Sequence, residues 1–286
     1  MRMPISVLGL LCVVGACGGR AHYMPDAFHW ETQLEPGTTL HLATATGQIE
    51  VAPARDRQLR VSGSTHWVGR KDPIHFAWRQ DGDEVYVCAL SSSRGNCSDR
   101  GDSFGGSGGS WLDMFSLFKH RSTGGMASIK VELPPGVAVD AHTMNGSISL
   151  VGATGGIKAR TLNGSINIQD AAGPIDARGT NSSIHVSLDS LGPDDEVTLK
   201  TVNGSTTVVA PAEVEGQVRL RTVNGGVRSD FPITAERTSN HEIRGQIGQS
   251  SREITIETVN GNASLLKANG PSKGPDAQPV ELRRRS

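Results

Sequence analysis

The chain has 286 residues, of which 36% are apolar, only 4% are aromatic and 35 are Gly. That length suits one large or two small domains, and the composition excludes thick helical layers around an aromatic core in favour of short strands, many turns and a thin core. A formal net charge of −1 removes any global electrostatic reason to bind nucleic acid or an anionic membrane.

The first 17 residues, MRMPISVLGLLCVVGAC, hold an early Arg, an apolar stretch from Ile5 to Val14 and small residues before Cys17. The apolar stretch is too short to span a bilayer as a mature helix, so the segment reads as an export signal. Its end, Val14-Gly15-Ala16-Cys17, resembles the bacterial lipobox. That resemblance implies cleavage before Cys17 and lipidation of its thiol (palmitate among the acyl groups), and Gly18 resembles the outer-membrane sorting pattern. The acyl chains would anchor the protein to the membrane. Cys12 leaves with the signal, and Cys88 and Cys97 remain in a chain that reaches an oxidising compartment. A disulfide between them is expected, two free thiols in a loop being the alternative.

Residues 18–36 read as a polar tether, 37–268 as the folded domain and 269–286 as a disordered polar tail ending in a solvated Arg run. Early in the domain, TLHLATA, QIEVAP, QLRVSGSTHW, IHFAWRQ and EVYVCAL read as strands. Asp81-Gly82 predicts a tight hairpin turn between the last two, so some antiparallel pairing is expected here. Residues 100–125 form a Gly-rich insertion around WLDMFSLFKH, in which Trp111, Met114, Phe115 and Phe118 recur at helical spacing and Leu112 widens the stripe. This short apolar helix either packs over the domain or docks a partner protein or the lipid surface.

From residue 127 onward the chain repeats itself. TMNGSISL begins at Thr143, TLNGSINI at Thr161, GTNSSIHV at Gly179, TVNGSTTV at Thr201, TVNGGVRS at Thr222, TSNHEIRG at Thr238 and TVNGNASL at Thr258. One column therefore reads Asn145, Asn163, Asn181, Asn203, Asn224, Asn240 and Asn260, with Thr46 of TATGQIEV as a worn earlier member. A string of hairpins would need only the two turn residues. Here Thr recurs two positions before Asn, and an aliphatic residue three positions after it. Stacked coils explain both, because like positions then lie about 4.8 Å apart and Asn side chains at that pitch can hydrogen-bond one another. The expected fold is all-β: a β-solenoid, right-handed and parallel-β-helix-like, with Thr-x-Asn-Gly corners. Alternation agrees, since Val197, Leu199 and Thr201 share one face, as do Ile166 and Ile168 after the corner.

These repeats, together with DFPITAERTSNHEIRGQIGQSSREITIETVNGNASL, resemble the bacterial putative-adhesin domain family, β-solenoid envelope proteins of unknown function. The resemblance implies the fold and an envelope setting, and it brings no catalytic motif.

No catalytic residue is assigned. The densest acidic cluster, Asp194-Asp195-Glu196, reads as a solvated turn, and no acid is expected at matching positions on neighbouring coils. The nine His residues are scattered without metal-ligand spacing, and no phosphate loop, dinucleotide fingerprint or nucleophile elbow appears. Neither metal nor cofactor is expected. The function expected is that of a non-enzymatic, lipid-anchored envelope scaffold or adhesin-like binding module, with an envelope protein or glycan as partner and no nucleic acid. The alternatives are a regulatory lipoprotein acting through the 111–118 arm and, last, a glycan-active β-helix enzyme.

Overall fold

A computed structural model describes residues 22–24, 27–67, 74–90 and 125–268. Among these residues there are twenty strands and no helix. The front part supplies β1 (His22–Met24), β2 (Ala27–Gln33), β3 (Thr39–Thr46), β4 (Ile49–Pro53), β5 (Gln58–Trp67), β6 (His75–Asp81) and β7 (Glu84–Leu90). The repeats begin with β8 (Gly125–Leu133), β9 (Ala138–Asn145), β10 (Ile148–Val151), β11 (Ile157–Ala172), β12 (Ile175–Ser190), β13 (Val197–Asn203) and β14 (Thr206–Ala210). The last part holds β15 (Gly216–Arg221), β16 (Val227–Ser229), β17 (Thr234–Thr238), β18 (Glu242–Ile247), β19 (Glu253–Asn260) and β20 (Ala263–Lys267).

Each coil runs up to the Asn corner on one face and away from it on a second. The first face stacks β7, β3, β9, the start of β11, the start of β12, β13, β19 and β15, all in parallel. The second stacks β8, β4, β10, the ends of β11 and β12, β14, β20 and β16, also in parallel. β11 and β12 stay in register through the corner, with Asn163 opposite Asn181 and Ile166 opposite Ile184. Inward rows such as Ile157, Ala159, Ile166 and Ile168 are fully or almost fully buried. Each Ile so placed contributes about 1.5–3 kcal/mol relative to exposure, which is how a chain poor in aromatics assembles a continuous core.

Antiparallel strands cap both faces at the front and the first face at the back, where β16 ends the second face paired only with β20 among the described residues. At the front β6 lies antiparallel to β7, and β2 and β8 flank β5 antiparallel. At the back β18 runs antiparallel to β15, and β17 to β18. Such caps cover edges that would otherwise template further pairing. The antiparallel pairing expected in the front part is therefore present. Its hairpin turn falls one residue later than Asp81-Gly82: Asp81 pairs with Glu84, leaving Gly82-Asp83 at the centre, with Gly82 at φ 60°. A left-handed Gly in the first central position matches the right-handed twist of the flanking strands. Within the stretch 18–36, expected as a polar tether, two segments are strands instead: β1 pairs with β6, and β2 pairs along β5 and buries Phe28 against Phe76, rings 5.6 Å apart.

Coil order in space is not coil order in sequence. β13 is followed by β19, and β15 lies beyond β19. The last repeat is therefore inserted between the two before it. The β17–β18 hairpin makes this reachable: because β18 is antiparallel to β15, it ends with Ile247 opposite Gly216, where β15 begins. The chain re-enters there as β19, with Glu253 opposite Gln217.

Candidate functional site

At the corner, each letter of Thr-x-Asn-Gly has its own contact with the next coil. The Asn side chains form one ladder: Asn163 Nδ2 donates to Asn145 Oδ1, Asn181 to Asn163 and Asn203 to Asn181, each at 2.8 Å. It continues with Asn260 to Asn203 at 2.7 Å and Asn224 to Asn260 at 2.8 Å. All five bonds point the same way, so the amide dipoles add along the stack. The Thr hydroxyls run beside them. Thr161 donates to the carbonyl of Gly146 at 3.1 Å, Thr258 to Gly204 at 2.9 Å and Thr222 to Gly261 at 2.8 Å. These hydroxyls are buried and would otherwise be unpaired. The Gly slot is sterically closed: a Cβ on Gly146 would overlap the Gly47 carbonyl. In the GTNSS coil the two outer roles are exchanged. Gly179 stands where Thr usually does, and the buried Ser182 fills the space that Gly179 leaves.

Six members of the predicted Asn column thus stack, and Thr46 lies in register with Asn145 as the worn copy requires. Asn240 does not join them. It sits in the tight β17–β18 turn, where Ser239 N–H donates to the Glu242 carbonyl and the Ser239 hydroxyl accepts from the His241 and Glu242 amides. There the Asn belongs to an antiparallel hairpin, which needs no partner coil.

The outer face before the corner carries charges that the sequence reading left scattered. Five residues before the corner position, neighbouring coils present His41, Asp140, Lys158, Asp176, Thr198, Thr255 and Arg219 in register. They line a groove of about 560 Å³. Asp140 is its hub: Oδ1 meets His142 Nε2 at 2.6 Å and Arg160 Nη1 at 3.7 Å, and Oδ2 meets His41 Nδ1 at 3.5 Å. His41 Nε2 in turn bonds Glu84. A neutral imidazole has one N–H, so an imidazole facing carboxylates through both nitrogens is held as imidazolium. Burial opposes that charge, but the bonds to Asp140 and Glu84 outweigh it and raise the His41 pKa. Burial likewise opposes ionisation of Asp140. The bonds from His142 and His41, with the Arg160 charge, hold it well below the usual carboxylate range. Tyr86 stacks on the His41 ring at 4.5 Å, and the Arg79 guanidinium lies over Tyr86 at 4.8 Å.

The network extends from Arg160 to Asp176 at 3.3 Å and from Arg178 to Asp176 at 2.7 Å, and a separate cluster further along the groove pairs Lys200 with Glu257 at 3.1 Å. Acids do occupy matching positions on neighbouring coils, contrary to the sequence expectation. Glu196 and Glu253 each precede a residue of the paired Val197 and Ile254, and the coils meet only through the insertion. Each accepts from a Thr two residues on, Thr198 at 2.8 Å and Thr255 at 3.0 Å. No group of three or more His, Cys, Asp or Glu suited to a metal ion occurs among the described residues. His185 is exposed on the second face, and His241 Nδ1 lies 3.0 Å from the Gly225 carbonyl.

Cys88 is buried on β7 and disulfide-bonded. Its expected partner Cys97 lies outside the described residues, as do Cys17 and the arm residues Trp111, Leu112, Met114, Phe115 and Phe118.

A family model described as Toastrack DUF4097 matches residues 119–266, just over half of the chain. The chain belongs to this family. In this Toastrack protein the matched span takes in the whole Asn ladder and the inserted final repeat. Two solved structures are similar in outline. A putative cell adhesion protein from Clostridium sporogenes is 11% identical with a TM-score of 0.47, the match covering 84% of this chain and 99% of that one. A putative adhesin from Bacteroides fragilis is 8% identical with a TM-score of 0.25, covering 84% and 96%. At that distance neither likeness bears on what the Toastrack domain does. No curated protein matches the sequence.

Proposed function

We propose that this Toastrack protein is a lipid-anchored, non-enzymatic module of the cell envelope, attached to the outer membrane through Cys17, whose rigid solenoid acts as a scaffold or adhesin-like binder. The observation that carries the reading is that the polar groups of the corner and groove are engaged with one another. Asp140, Asp176 and Glu257 each meet cationic partners. Asp140 is held ionised, whereas a glycan-cleaving acid needs a raised carboxyl pKa. Groups engaged in holding coils together favour a fixed surface over acid–base chemistry.

Labelling with an alkyne-tagged palmitate tests the anchor. Incorporation into the wild-type chain but not into Cys17→Ala, with the variant leaving the membrane fraction, supports it. Equal membrane retention of the unlabelled variant would defeat it. Release of reducing ends from envelope polysaccharides by the purified protein would overturn the non-enzymatic part.

A second reading, regulation through the apolar arm, draws on where the arm attaches. It leaves from β7 on one face and returns as β8 on the other, so it originates at the capped front end. Deleting residues 104–124 separates the two: lost partner capture with an unchanged melt favours the arm as a docking element.

A further inference from the structure

The two outer faces differ in charge. Before the corner, almost every coil presents charged side chains. After it, the first five residues beyond the corner pair contain no Asp, Glu, Lys or Arg in five consecutive coils, namely Ser147–Val151, Ser165–Gln169, Ser183–Ser187, Ser205–Val209 and Asn262–Leu266, and charge returns only past this band, at Asp170, Asp189 and Lys267. In register across them lie Ser149, Asn167, His185, Thr207 and Ser264. This line ends at Glu50 on one side and at Arg228 on the other. His185 is exposed and the other four are half-buried, and among the described residues none of the five makes a side-chain hydrogen bond, in contrast to the corner and groove.

We propose that this face binds an uncharged polysaccharide lying along the solenoid axis. The inference rests on the reading of the protein as a binding module and names its ligand. Two observations choose the occupant. The absence of charge removes any counterpart for a charged polymer and any cost of stripping water from buried ions. The face is also small: five strands at about 4.8 Å and five residues at about 3.4 Å span roughly 19 by 14 Å. That is well under the ~800 Å² per partner of a stable protein interface, which disfavours a second copy, yet it fits a narrow chain. A neutral sugar polymer offers hydroxyls to Ser149, Asn167, Thr207 and Ser264 at regular intervals, and its C–H faces to Val209 and Leu266 beside them.

The test is native electrophoresis of the full-length protein in mild detergent through gels containing dextran, hydroxyethyl cellulose or galactomannan, with alginate as the acidic comparison. Retardation is expected in at least one neutral gel and not in alginate. Asn167→Lys and Thr207→Lys should each weaken it at least ~10-fold by placing an unpaired charge against the sugar, with the melting temperature unchanged. Lys158→Gln, on the opposite face, should leave it intact. Free migration in all three neutral gels, retardation that survives both Lys substitutions, or retardation in alginate alone would each overturn the proposal. So would self-association abolished by the same substitutions, which would identify the occupant as a second copy. A negative gel with Cys17 still acylated removes the ligand and leaves the anchored scaffold standing, whereas gel binding without acylation does the reverse.

Discussion

Asn260 donates its side-chain amide to Asn203 at 2.7 Å although 57 residues separate them, while Asn224, much nearer in sequence, reaches the ladder only through Asn260. The last repeat is thus the bridge between two coils that do not touch. A chain ending at residue 250 should lose protection against amide exchange throughout β15 and β18, and one ending at residue 268 should keep it. Unchanged protection in the shorter chain would contradict the insertion.

Within the Asn column the side chains are not equivalent. Asn203→Val removes a ladder member that both donates and accepts, and should lower stability by about 1–3 kcal/mol. Asn240→Val, outside the ladder, should cost no more than about 0.5 kcal/mol. Chemical denaturation of both variants decides, and equal losses would count against the stacked corner.

Gly slots differ in the same way. An added methyl at Gly146 meets the Gly47 backbone, whereas at Gly156 the nearest atom is Pro174 Cγ at 3.6 Å. Gly146→Ala should destabilise by about 1–3 kcal/mol or more. Gly156→Ala should be neutral or stabilising by up to about 1 kcal/mol, through the unfolded chain.

One coil carries an uncompensated polar atom. Thr206 stands fully buried where neighbouring coils have Ile148, Ile166 and Ile184, and its hydroxyl has no partner. Thr206→Val should therefore raise stability by about 1 kcal/mol, read as a higher melting temperature.

The His41–Asp140 pair makes stability depend on pH in two windows. His41 is raised, so its contribution is complete below its unfolded pKa of about 6.5 and fades as pH rises through the folded value. Asp140 is lowered, so its contribution holds above about 3.9 and is lost as pH falls through the folded value. The melting difference between wild type and His41→Gln should be largest near pH 5–6, on the order of 1–3 kcal/mol, and should shrink by pH 9. A difference that grows with pH would refute the imidazolium assignment.

The coil was legible because Thr, Asn and Gly each answer to the neighbouring layer, leaving a triplet that no isolated turn requires. The swap at Gly179 and Ser182 was visible as an irregular copy but not as a compensation, since only stacking shows that one residue fills the other's space. Asn240 misled because Asn serves tight hairpins and stacked corners alike, and the letter does not distinguish them. The groove escaped notice for a different reason. His41 and Asp140 lie 99 positions apart, and the alternation of His41, Asp140, Lys158 and Asp176 appears only after the worn copy at Thr44 is aligned with the rest. The meeting of Glu196 with Glu253 could not be read at all, because nothing local announces that the final repeat folds backwards.

That backward fold makes the C-terminal segment a keystone. During vectorial synthesis the preceding layers can zip up one after another, but the gap beside β13 must wait for β19 and β20, residues 253–267. Completion is therefore tied to full-length emergence, and a prematurely terminated product would display a raw, pairing-competent flank that proteases and other chains could recognise.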